Sequence, residues 1–172
     1  AGRGAAAAAF ALSAPPTSIL DAVLVSRPAS LADLAARLAL AADTVIDHGV
    51  RLLVVDSVSA LARVDPELAR DPARRAVAVA SVAARLKRLA ETFYLPVLVV
   101  AEEGAGAQLG TAWAHAVNTH IALAPHASLP GVMTATLVKS PAAGPVCVSY
   151  TLQARGLVEV ADQGEPQPLG GA

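Results

Sequence analysis

Apolar runs and amphipathic stretches alternate along the chain. "ILDAVLVS" (19–26) is a short apolar run between "PPTS" and "RPAS", and it predicts a buried strand. In "SLADLAARLALAADTVIDHG" (30–49), Leu31, Leu34, Leu38 and Val45 recur at helical spacing. Ser30 suits the N-cap, Asp33 the first turn, and Gly49 ends the helix. "RLLVVDSV" (51–58) predicts a second buried strand, and the polar, proline-bearing "ARVDPELARDPARR" (62–75) a connection. A long helix is predicted over 74–93 and a third buried strand over "LPVLVVA" (95–101). "EEGAGAQLG" (102–110) reads as a glycine-rich loop and "TAWAHAV" (111–117) as a short helix. Three later segments, "THIALAPH" (119–126), "MTATLVKS" (133–140) and "VCVSYTLQARGLVEV" (146–160), alternate or run apolar between Pro and Gly. They predict successive antiparallel strands.

Strand–helix–strand–helix–strand order with short connections implies an α/β fold: a mostly parallel sheet with helices on both faces. The trailing hairpins are expected to extend one edge of that sheet. Residues 1–18 are expected to form an Ala/Pro-rich lead-in, residues 19–160 the domain, and residues 161–172 a disordered tail. A length of 172 residues suits one domain with a single core. The lead-in "AGRGAAAAAFALSAPP" faintly resembles a secretory signal, but its basic region is a single arginine and its apolar run is short. No uninterrupted apolar stretch of about 18 residues exists, so no transmembrane helix is expected.

Composition narrows the chemistry. Charged residues are 16% of the chain and the formal net charge is -1. That balance lacks the strongly basic footprint of a dedicated nucleic-acid-binding domain, so any DNA contact must be local. The single cysteine, Cys147, rules out an internal disulfide and favours a reducing compartment.

Asp56 closes the apolar run "LLVVD". Ligands of open parallel sheets gather beyond the carboxyl ends of the strands. A carboxylate there can hold Mg²⁺ through its water shell beside nucleotide phosphates, the pattern known as Walker B. A turn or helix-capping aspartate fits the same run equally well. Gly104, Gly106 and Gly110 invite a dinucleotide reading, but the third glycine falls one residue late for G-x-G-x-x-G. No Asp or Glu lies between Gly104 and Val158 to hold a ribose. No G-x-x-x-x-G-K-[ST] occurs, and the lysines, Lys87 and Lys139, sit outside any glycine loop. His48, His115, His120 and His126 lack ligand spacing, and Ser57 and Ser140 lack a hydrolase elbow. Arg70, Arg74 and Arg75 cluster at the start of the long helix. They either grip a phosphate backbone or form a solvated face balanced by Asp65, Glu67 and Asp71.

Four segments in order, "RLLVVDSVSALARVD", "RLKRLAETFYLPVLVVAEE", "LGTAWAHAVNTHIAL" and "LVKSPAAGPVCVSYTLQARGLVEV", together resemble the RecA-like recombinases. The likeness is greatest to the eukaryotic recombinase paralogues that assist strand exchange in homologous recombination, and it covers residues 19–160. It implies a partial RecA-like P-loop NTPase core, whose phosphate loop and catalytic glutamate fall upstream of Ala1 and are therefore missing here. It implies that Asp56 is the Walker B aspartate, holding Mg²⁺ through water. Arg75 falls on an arginine of the first DNA-binding loop, with Arg70 and Arg74 beside it. Ala101 and Glu102 replace an Asn-Gln pair whose glutamine reads the γ-phosphate of ATP. His115 matches a nucleotide-sensing histidine at the protomer interface. Lys139, Ser140 and Pro141 match the cap over a neighbouring subunit's ATP. The second DNA loop is shortened to "EGAGAQ", which speaks against strand exchange by this chain.

The resemblance thus implies an ATP-dependent, DNA-binding accessory or mediator of recombinational repair. Its expected cofactors are ATP and Mg²⁺. The expected partners are other recombinase-family subunits in a hetero-oligomer and single-stranded or branched DNA, with no membrane. Without its own phosphate loop the chain is not expected to hydrolyse ATP alone. The alternative is a non-catalytic RecA-like adaptor that completes a partner subunit's ATP site. A RecA-like helicase or clock-type kinase is a third reading. The expected location is the nucleus in a eukaryote and otherwise the cytoplasm.

Overall fold

The computed structural model describes residues 19–102 and 105–160, at 19 and 105–108 for the backbone alone. The first compact unit extends to Ala116 and the second begins at Val117.

The first unit starts with a 3-10 turn, Ile19–Ala22, followed by irregular backbone. The strand expected over 19–26 is therefore corrected. Leu20, Val23, Leu24 and Val25 are all exposed, and among the described residues no strand pairs with this segment. An apolar run becomes a strand only where a neighbouring ladder takes up its N–H and C=O groups.

Helix α1 (Leu31–Asp47) begins as the sequence predicts. Ser30 Oγ accepts the Asp33 N–H at 3.1 Å, and Asp33 Oδ2 accepts the Ala29 N–H at 2.9 Å. Leu31, Leu34 and Leu38 line its buried face. Beyond the C-cap His48, Gly49 takes a positive φ of 58°, a conformation that suits glycine, and the chain turns into the first strand.

Strand β1 (Leu53–Asp56) pairs in parallel with β2 (Val97–Val100). Ser57 ends the strand and caps α2 (Val58–Val64), so the expected strand over 51–58 is shorter than its apolar run. The polar connection of the sequence reading is helical: α3 (Pro66–Arg70) and α4 (Pro72–Phe93) follow directly. Each starts on an Asp-Pro pair. Asp65 Oδ1 accepts the N–H groups of Glu67 and Leu68. Asp71 Oδ1 accepts those of Ala73 and Arg74. A proline at the first helical position has no N–H to lose, so these prolines open helices rather than break them. Helix α5 (Ala105–Ala116) occupies part of the expected glycine loop and is interrupted at Gly110, where φ is 81° and ψ 172°.

Side chains alternate across the two-stranded ribbon. Leu53, Val55, Val97 and Val99 turn toward a core built by Leu31, Leu34, Leu38, Val58, Val79, Val82, Leu86, Leu89 and Leu109. Val54, Leu98 and Val100 turn the other way and stay 50%, 54% and 41% exposed. Among the described residues, then, helices cover one face of the parallel pair, and the expected second layer is not seen.

In the second unit, β3 (His120–Pro125), β4 (Met133–Lys139), β5 (Val146–Gln153) and β6 (Gly156–Val160) form an antiparallel meander in that order. It is a sheet of its own rather than an extension of the β1–β2 edge, because each strand pairs with its neighbour in sequence. The expected tail, 161–172, and lead-in, 1–18, lie outside the described residues.

Candidate nucleotide and nucleic-acid site

The carboxyl ends of β1 and β2 carry the central candidate. Asp56 is the last residue of β1 and the register partner of Val100. Its side chain is exposed, on the same side of the ribbon as Val54 and Leu98. The capping role left open by the sequence belongs to its neighbour: Ser57 Oγ accepts the Ala60 N–H at 3.1 Å and opens α2. Among the described residues no donor reaches the Asp56 carboxylate. An exposed acid at the carboxyl end of a parallel strand, with no internal partner, fits a water-mediated Mg²⁺ contact. A directly ligated metal site has no such basis: no group of three or more His, Cys, Asp or Glu side chains gathers among the described residues.

Glu102 sits just beyond β2. Its backbone N–H donates to the Oγ of buried Ser59 at 3.2 Å, tying the end of β2 to α2. Its carboxylate meets the Arg63 guanidinium fork to fork, through Nη1–Oε2 and Nη2–Oε1. Bidentate pairing of this kind is the strong form of the ion pair. The hydrogen bonds from Arg63 hold Glu102 below the ordinary carboxylate range. No local signal in the sequence marks Arg63 or Ser59. Arg63 and Glu102 are 39 residues apart, and only the strand register brings them together.

The arginine cluster resolves into separate roles. Arg74 Nη1 lies 3.0 Å from Glu67 Oε2 in an exposed pair. Arg75 Nη1 donates to the Leu68 carbonyl at 3.1 Å. Arg70, the last residue of α3, is exposed. Asp65 and Asp71 spend a carboxylate oxygen on helix N–H groups, so their balancing of the arginines is indirect. A shallow depression of about 420 Å³ is lined by Ala62, Arg63, Ala69 and Arg75.

His115 is exposed in the last turn of α5. The other implied residues belong to the second unit. Lys139 ends β4, and its Nζ donates to the Val117 carbonyl at 2.6 Å. Ser140 Oγ accepts the Ala142 N–H at 3.1 Å, which shapes the turn that runs through Pro141. The structure thus brings Glu102 to Arg63, and Arg75 to the depression that Arg63 lines, whereas the KSP segment belongs to the second unit.

A parallel strand pair with a carboxylate at its outlet, followed by a helix-borne arginine cluster and an antiparallel meander, is the layout of a partial RecA-like core. The Rad51 family model matches residues 4–133, well over half of the chain. The chain belongs to the Rad51 family, the RecA-like recombinases of DNA repair and recombination, whose members generally bind ATP with Mg²⁺, bind DNA and oligomerise. Asp56, the arginines, Glu102 and His115 fall inside the matched range, whereas Lys139, Ser140 and Pro141 fall beyond it. No curated protein matches the chain.

Proposed function

We propose that this chain is a recombinase paralogue that assists homologous recombination as a DNA-binding accessory within a hetero-oligomer. The observation that carries this reading is the Rad51 match over 4–133, which contains both Asp56 and the arginine-bearing α3–α4 junction. Mg²⁺ bound with ATP would supply charge neutralisation at the phosphates. Asp56 would orient the ion through its water shell. Arg70, Arg74 and Arg75 would hold the phosphate backbone of single-stranded or branched DNA. The test is binding of a labelled oligo(dT) to the full chain across a salt series. Arg75→Ala should weaken binding and flatten the dependence on salt. Equal affinity of the two proteins at every salt concentration would overturn the DNA reading.

One observation favours the adaptor as a second reading. Glu102 replaces the γ-phosphate-reading glutamine of the family resemblance, and its carboxylate is engaged by Arg63. In that role Lys139, His115, Ser140 and Pro141 would complete a partner's ATP site. Lys139→Ala should then lower the ATPase of the complex while this chain alone binds no nucleotide.

A further inference from the structure

Arg63 and Arg75 converge on one concavity from different helices, α2 and α4. Arg63 presents its fork to a carboxylate, and that fork matches a phosphate equally well. Glu102 projects this carboxylate from the end of β2, and both partners remain about half exposed, at 45% and 54%. Bidentate geometry strengthens this pair, but its exposure leaves it screened by water and salt, so an incoming oxyanion can compete for the fork. A planar guanidinium already turned toward an oxyanion is a seat for a phosphodiester, and Arg75 lines the same depression, its Nη1 anchored on the Leu68 carbonyl.

We infer that Arg63 and Arg75 form a phosphate seat for single-stranded DNA, and that Glu102 occupies its Arg63 half in the unbound protein as an internal competitor. This rests on the DNA-binding reading above and adds to it a residue and a control. Binding exchanges one oxyanion for another on the same fork. The Arg63–Glu102 bonds break, the phosphate takes the two Nη donors, and the carboxylate returns to water. Low ambient salt favours the exchange, because counterions leave the DNA as the arginine arrives. The Glu102 carboxylate stays ionised down to unusually low pH beside Arg63, so competition persists throughout the physiological range.

The test is fluorescence anisotropy of labelled oligo(dT) with the full chain, over a salt series. Glu102→Gln should tighten binding by about five-fold, the scale of removing one exposed ion pair. Arg63→Ala should weaken it and reduce the salt slope by about 0.7, one single-strand phosphate contact. In the double variant, Glu102→Gln should bring no further gain, because its effect runs through Arg63. Glu91→Gln, an equal change of charge on the exposed side of α4, should leave affinity unchanged. Glu102→Asp, which keeps the charge and shortens the reach, should tighten binding less than Gln, and it serves if the Gln variant fails to fold. Tightening that survives in the double variant, or that Glu91→Gln reproduces, would overturn the inference. So would unchanged affinity of both Glu102 variants while Arg75→Ala still weakens binding, and in that case the DNA-binding reading stands. Absence of oligo(dT) binding by every protein in the series sinks both.

Discussion

Asp56 and Val100 are register partners at the carboxyl ends of β1 and β2, and their side chains share the uncovered side of the ribbon. A carboxylate in that position has water for its contacts, so its charge is available to a bound ion rather than committed to the fold. Asp56→Asn keeps the shape and removes the charge. Stability should change by less than about 0.5 kcal/mol, as for surface sites without internal partners. Mg²⁺-dependent ATP binding by the assembled complex should fall by about ten-fold or more, the usual effect of losing an outer-shell carboxylate. A thermal melt beside an Mg²⁺ titration separates the two, and undiminished Mg²⁺ dependence would remove Asp56 from the site.

Asp71 is the cap on which α4 begins. Asp71→Ala should cost about 1 kcal/mol, seen as a drop in Tm of about 2–4 °C for a chain of this size. Asp71→Asn should retain most of the stability, since an amide oxygen still accepts the Ala73 and Arg74 N–H groups. Circular dichroism melts decide this. An Asn variant as unstable as the Ala variant would mean that charge, not the hydrogen bond, holds the helix start. Arg74→Ala should cost less than about 1 kcal/mol, because its pair with Glu67 is exposed.

Acid should release Arg63. The Glu102 pKa is depressed in the folded chain, chiefly by hydrogen bonds from Arg63, relative to an ordinary value of 4.5. A depressed acid contributes stability that is present above its unfolded pKa and is lost as pH falls through the folded one. Asp33 is depressed in the same sense by Arg37. The stability difference between the chain and Glu102→Gln should therefore be constant near neutral pH and close as pH falls below 4.5. Urea midpoints measured at several pH values check the sign. A difference that stays flat through this range would mean that the pair does not form.

Gly110 interrupts α5 with φ 81° and ψ 172°, in a region that belongs almost wholly to glycine. A Cβ added there meets nothing within 4 Å. The cost of Gly110→Ala is therefore backbone strain alone, about 1–3 kcal/mol. A thermal melt reads it directly, and an unchanged Tm would show that the kink relaxes without loss.

These outcomes depend on features of unequal legibility. Helix α1 announces itself through Ser30, Asp33 and the leucine spacing, since capping and periodicity are local. The strands β1 and β2 follow from continuous aliphatic runs between turn signals. The α2–α3 region is hidden in the sequence because its prolines suggest a connection, whereas Asp65-Pro66 and Asp71-Pro72 are helix starts. The aspartates were the signal. The run at 19–26 misleads in the opposite direction, because strand length and hydrophobicity do not supply a partner. Asp56 was visible as a strand-terminal acid, but only the structure shows that Ser57 does the capping. The Arg63–Glu102 pair could not be read at all, since it depends on β2 docking beside β1 in one register.

Helix α4 runs for 22 residues without a glycine and with its only proline at the first position. It is a rod of about 33 Å, joining Arg74 and Arg75 at one end to Tyr94 at the other, where a left-handed turn leads into β2. A tug on the arginine end is carried as tilt of the whole rod rather than absorbed by local unwinding. The mechanical load of a held nucleic acid would arrive at the root of β2, the strand that leads to Glu102.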